Sequence, residues 1–166
     1  MMFPEILTIM VEDLFAECQK SRLTLTVAES CTGGLVAGCI TSVPGASQVF
    51  DRGFVAYANG AKCDLLAIEP DVIETHGAVS EAVARAMAEG ALRAAGTSLG
   101  LSITGIAGPD GGSREKPVGL VHIACARHGF ETRHQRHVFK GTRDQIRLQG
   151  VESSLKLLLN CCAATH

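Results

Sequence analysis

The chain has 166 residues, of which 46% are hydrophobic, 19% charged and 4% aromatic, with no tryptophan and a formal net charge of −2. That length suits one domain over 1–166, able to bury about 70% of its unfolded surface around an aliphatic core. The near-neutral charge and single tyrosine exclude the basic face and stacking platforms of a nucleic-acid binder.

Residues 4–21 open the chain as an amphipathic helix, with Phe3, Ile6, Leu7, Met10 and Leu14 at helical spacing. Acids precede the first cation, Lys20, so the start does not read as a signal peptide. No apolar run is long enough to span a bilayer. Both absences lead us to expect a cytoplasmic protein. Leu23–Ala28 is rich in β-branched residues and predicts a strand. It runs into Glu29-Ser30-Cys31-Thr32-Gly33-Gly34 and then a helical segment at 33–42, which Pro44-Gly45 ends.

Gly53–Tyr57 predicts a second strand, and Asn59 is a plausible cap for a short helix carrying Lys62, Leu65 and Leu66. Ser80 and Gly96 bracket a helix at 81–95, and Leu99–Ile103 forms a third strand. A glycine-rich loop, Thr104–Gly112, follows. Val118–Ala126 is nearly all apolar, as in a strand covered on both faces. Residues 131–139 predict an antiparallel strand, and Thr142 to Gln145 a capping box opening a helix at 143–160. Strands alternating with helices predict a single-domain layered α/β sandwich, its mixed, mainly parallel sheet covered by helices.

Strands ending at Ser30, Tyr57 and Thr104 each run into a loop of small or polar residues. Ligands of open α/β sheets bind at the carboxyl ends of strands, so adjacency of these three would line one crevice. A serine between strand and helix, followed by Gly33-Gly34, suits either an anion site or a plain helix cap. Lys62 is either a solvated surface group or a base; the second requires burial to lower its proton affinity by about three units. Tyr57 could donate a hydrogen bond or relay a proton. The third loop is not a P-loop, because Gly111-Gly112-Ser113-Arg114-Glu115-Lys116 fails the spacing. Its glycines can still present N–H groups to a ligand.

Cys31 adjoins Ser30 and is intrinsically the better nucleophile, but neighbours at a helix start point apart, so it reads as filler. The seven cysteines form no CxxC pair or disulfide framework and predict free buried thiols. His122, His128, His134 and His137 lack metal-ligand spacing, so no metal site is expected. Arg143 and Arg147, four apart on one helix, fit a phosphate grip or a solvated stripe.

Five segments stand in order: Ala28-Glu29-Ser30-Cys31-Thr32-Gly33-Gly34, Tyr57-Ala58-Asn59-x2-Lys62, His76-Gly77-Ala78-Val79-Ser80, Thr104 to Gly112, and Lys116-Pro117-Val118-Gly119. Together they make the chain, from about residue 5 to 160, resemble the CinA C-terminal domain family, the nicotinamide-nucleotide amidohydrolases. The resemblance implies hydrolysis of nicotinamide mononucleotide to nicotinate mononucleotide and ammonia. It implies Ser30 as nucleophile, Lys62 as base and Tyr57 assisting, with no cofactor. It further implies that Thr104, Gly105, Ile106, Ala107, Gly108 and Gly112, with Arg143 and Arg147, bind the nucleotide. N–H groups near Thr32, Gly33 and Gly34 would hold the oxyanion. Longer family members carry an N-terminal domain resembling molybdopterin-binding proteins, and this chain is expected to start at the amidohydrolase part. Ala58 stands where relatives often have Ser. The apolar share suggests a homo-oligomer; the resemblance implies a small nucleotide substrate, and neither a membrane nor a nucleic-acid partner is expected. A non-catalytic nucleotide-binding module and a Ser/Lys amidase for another small amide remain the alternatives.

Overall fold

A computed structural model describes residues 2–164. In chain order it runs α1 (Glu5–Lys20), β1 (Leu25–Glu29), α2 (Leu35–Thr41), a 3-10 turn (Ala46–Gln48), β2 (Phe50–Val55), α3 (Asn59–Leu66) and α4 (Pro70–His76). Then come α5 (Glu81–Ala95), β3 (Leu99–Gly105), β4 (Leu120–Arg127), β5 (Arg133–Val138) and α6 (Arg143–Cys162). The five strands form one sheet in the order β2-β1-β3-β4-β5. β1 pairs in parallel with β2 and β3, while β4 runs antiparallel to both β3 and β5. Four strands therefore point one way, and β4 alone runs against them.

The period-2 alternation of side chains divides the core. Leu25 and Val27 of β1, Leu99, Leu101 and Ile103 of β3, and Val121, Ile123 and Cys125 of β4 face α1, α2 and α6. The other face carries small residues: Ala28, Gly100, Ser102, Ala124 and Ala126. Against it lies α5, whose contact residues Ala84, Ala88 and Ala91 are also small. This brings helix and sheet backbones close together. A β-carbon at Gly100 would stand 2.5 Å from the Ala88 carbonyl oxygen. Gly100→Ala should therefore push α5 off the sheet and cost about 1–3 kcal/mol, read as a lower urea midpoint at unchanged m.

Most of the expected elements are present. Ser80 caps α5 through the Val83 N–H, Gly96 ends it in the left-handed region, and the Thr142–Gln145 capping box opens α6. Every residue of β4 from Leu120 to Ala126 is buried. Two boundaries and one helix differ from expectation. The predicted helix at 33–42 begins at Leu35, because Gly33 and Gly34 take positive φ (59° and 100°) and form a turn instead. The predicted strand Gly53–Tyr57 ends at Val55, where the register with β1 closes at Glu29↔Val55, leaving Tyr57 two residues beyond it. Helix α4 was not anticipated, although Pro70 at its first turn is a start signal. No described helix is long and apolar enough to cross a membrane.

Candidate active site

Because β1, β2 and β3 are adjacent and parallel, their carboxyl ends open on one edge, as the crevice hypothesis required. Ser30 leaves β1 there. Its N–H still donates to Ile103 O at 3.0 Å, and its carbonyl accepts from Gly33 N–H at 3.0 Å. These bonds fix the serine backbone between sheet and turn.

The N-terminus of α2 is filled by the protein itself. Glu29 is 1% exposed, and its carboxylate accepts from Gly34 N–H (3.1 Å), Val36 N–H (3.0 Å) and Ala37 N–H (2.8 Å). A carboxylate at a helix N-terminus satisfies otherwise orphaned donors and complements the helix dipole. The expectation that Gly33 and Gly34 offer their N–H groups to an anion is corrected accordingly: both donors are already committed. Among the described residues, the N–H of Thr32 has no acceptor.

Lys62 lies in the first turns of α3, and its side chain runs inward to 1% exposure. Its Nζ reaches Ala56 O at 2.9 Å, Tyr57 O at 3.0 Å and Ser30 Oγ at 3.0 Å. No carboxylate among the described residues stands within ion-pair distance of it. Burial accordingly holds its proton affinity below the ordinary lysine range. The donor count matters here. A neutral amine has two N–H bonds, which the two carbonyls take, and one lone pair, which is left for the Ser30 hydroxyl. Helix α3 is capped by Ala58 rather than the predicted Asn59, and no side chain caps it. Ala58→Ser should supply that cap and raise stability by about 1 kcal/mol, measured by denaturant unfolding.

Around this pair is a crevice of about 280 Å3. Ser30, Cys31, Tyr57 and Lys62 line it, as do Ala78, Val79 and residues of the third loop from Thr104 to Gly108, then Asp110 and Gly111. Cys31 thus shares the crevice, but burial pushes its thiol up to about 12, so it stays protonated at neutral pH. The Thr104 hydroxyl donates to Ala78 O at 2.9 Å and ties the end of β3 to the loop before α5. At the outer end, Arg143 donates from Nη1 to Gly108 O at 2.8 Å and from Nη2 to Tyr57 Oη at 3.2 Å. It bridges the second and third loops across the opening.

Thr32, Gly33, Gly34, Gly112 and Arg147 do not line the crevice. Arg147 instead donates from Nη2 to Thr32 O at 2.8 Å, so it braces the serine loop from α6. Gly112 packs against Val118. Sequence reading assigned no role to Glu29, Ala78 or Val79, and gave Asp110 and Gly111 none beyond their place in the third loop. For Glu29 the one available signal was an acid shortly before a helix start.

Comparison with known proteins adds the family. Residues 7–162 match the CinA C-terminal domain. The chain belongs to the CinA C-terminal domain family. A CinA-like protein of Anaeromyxobacter dehalogenans is 48% identical over 166 residues, covering 92% of this chain and 40% of the relative. A CinA-like protein of Geobacter sp. strain M21 is 55% identical over 129 residues, covering 78% of this chain and 31% of the relative. The chain therefore spans well under half the length of these two CinA-like relatives. Among solved structures, the competence/damage inducible protein CihA from Agrobacterium tumefaciens superposes with a TM-score of 0.93 at 41% identity, covering 96% of this chain and 99% of that one. The CinA superfamily protein from Escherichia coli gives a TM-score of 0.90 at 29% identity, with 97% and 94% covered. In this CinA domain, four of the five recognised motifs supply residues to the crevice. The fifth acts at one remove: Lys116 Nζ donates to His76 O at 2.8 Å, beside the loop before α5.

Proposed function

We propose that this CinA domain hydrolyses the carboxamide of nicotinamide mononucleotide to nicotinate mononucleotide and ammonia. One observation carries the reading: a buried lysine, without a carboxylate partner among the described residues, stands 3.0 Å from the hydroxyl of Ser30 at the carboxyl edge of the sheet. That arrangement is a serine nucleophile beside an amine base whose proton affinity is lowered by burial.

In the first half-reaction, Ser30 Oγ forms a bond to the amide carbon while neutral Lys62 takes its proton. The backbone N–H of Cys31, which lines the crevice, stabilises the oxyanion. Lys62 then returns the proton to the amide nitrogen, the C–N bond breaks and ammonia leaves. In the second half, water adds to the ester carbonyl as Lys62 accepts its proton. Ser30 departs with that proton, and nicotinate mononucleotide is released. Arg143 and the third loop hold the ribose phosphate, whose binding energy positions the amide. Tyr57 assists from the outer end of the crevice.

The test is ammonia release from nicotinamide mononucleotide, free nicotinamide and glutamine. The reading expects the mononucleotide to be preferred. Preference for another amide reassigns the substrate, and binding without ammonia release makes the domain a binding module. A pH profile tests the base. Because burial lowers the folded proton affinity of Lys62, the base is protonated and idle at low pH. kcat/KM should rise with pH to a plateau, with its midpoint below the ordinary lysine value of about 10.4. A rate independent of pH between 5 and 9 contradicts a lysine base.

A further inference from the structure

Far from the crevice, four thiols collect where α1, β4 and α6 meet. Cys18 lies in the last turn of α1, and Cys162 is the final residue of α6. Their sulfur atoms approach to 3.5 Å, although 144 residues separate them in sequence. Cys161, next in the chain to Cys162, is influenced instead by Cys125 of β4, which lowers its proton affinity. One guanidinium organises this corner. Arg127, at the end of β4, donates from Nη1 to the carbonyls of Cys161 (2.5 Å), Cys162 (3.3 Å) and Ala164 (2.9 Å). It thereby caps the carboxyl end of α6 and holds Cys162 against α1.

We propose that Cys18 and Cys162 form an oxidisable dithiol, a modification site at which a small peroxide closes a disulfide between α1 and α6. Two features separate this pair from ordinary buried cysteines. The thiols face each other directly, so little movement is needed to join them. They also sit at helix termini, where a single turn can open to admit a small oxidant. The electrostatics assign the roles. The contact between the two thiols, in which either can donate, lowers the Cys18 proton affinity, helped by Arg127, while the same contact and burial raise that of Cys162. Cys18 is therefore the attacking sulfur and Cys162 the resolving one.

The Cys18 thiolate attacks hydrogen peroxide: an S–O bond forms, the O–O bond breaks, and the departing hydroxide takes up a proton as water. Cys162 sulfur then attacks the Cys18 sulfenic sulfur. The S–S bond forms, the S–O bond breaks, and hydroxide leaves with the Cys162 proton as a second water. In sum, two thiols and one peroxide give one disulfide and two waters. The consequence is a staple joining the two ends of the chain, independent of whether Ser30 is a nucleophile.

The experiment treats the reduced full chain with a small molar excess of hydrogen peroxide, alkylates the remaining thiols and maps peptides without reduction. A cross-link between the Cys18 and Cys161-Cys162 peptides is expected. It should persist in Cys161→Ser and vanish in Cys162→Ser. The oxidised wild type should melt about 5–10 °C higher, reversibly on adding dithiothreitol. Absence of the cross-link, its survival in Cys162→Ser, or conversion of Cys18 to sulfinic acid without cross-linking overturns the proposal.

Discussion

Ser30→Ala should lower ammonia release from nicotinamide mononucleotide by about 10^4-fold or more while leaving the fold and nucleotide binding intact. The size follows from the role: a covalent nucleophile and its base act as a unit, so removing either loses most of the chemistry. The fold should survive because the Ser30 backbone, not its side chain, holds the turn. Its N–H is bonded to Ile103 O and its carbonyl to Gly33 N–H. Among the described residues, the hydroxyl has Lys62 as its hydrogen-bond partner. Lys62 keeps both carbonyl acceptors in the variant, so it remains seated. Unfolding midpoint, nucleotide affinity and ammonia release together separate the outcomes. Equal release by wild type and variant removes Ser30 from the mechanism.

Glu29→Ala should destabilise the protein by about 3 kcal/mol or more. Three backbone donors lose their acceptor at once, and each unsatisfied buried donor costs about 1–3 kcal/mol before water enters. Glu29→Gln keeps a side-chain oxygen for some of these donors but loses the charge that faces the helix dipole, so its cost should be smaller. Denaturant unfolding of both variants ranks them. A Glu29→Ala protein as stable as wild type would mean that the carboxylate is not what secures the start of α2. Activity should fall as well, since Ser30 is the next residue and its turn leads straight into Gly34, whose N–H Glu29 holds.

The sheet and most helix boundaries were legible because their signals are local. The run from Val118 to Ala126 declared a strand covered on both sides, and Thr142 with Gln145 declared a helix start; the structure has both. Adjacency of the three site loops was stated only as a condition, since sequence carries no strand order, and the parallel pairing of β1 with β2 and β3 meets it. What stayed illegible is what distant residues do to one another. Arg147 looked like half of a phosphate grip from its spacing to Arg143, yet its partner is Thr32 O, 115 positions away. Gly33 and Gly34 looked like open donors because nothing local shows that the Glu29 side chain folds back over the turn. The Cys18–Cys162 contact joins opposite ends of the chain. Lys62 illustrates the limit most clearly: its identity was readable, but its burial, which separates a base from a surface cation, depends on the packing of α3 against α5.

The central claim is a covalent intermediate on Ser30, and the most direct measurement is to trap it. Wild-type protein is mixed with nicotinamide mononucleotide, quenched in acid within the first turnover, digested and mapped by mass spectrometry. The account predicts a nicotinate mononucleotide ester on the peptide containing Ser30, appearing with a burst of ammonia and absent from Ser30→Ala. Ammonia release at full rate with no ester on Ser30, or with the adduct on another residue, would contradict it.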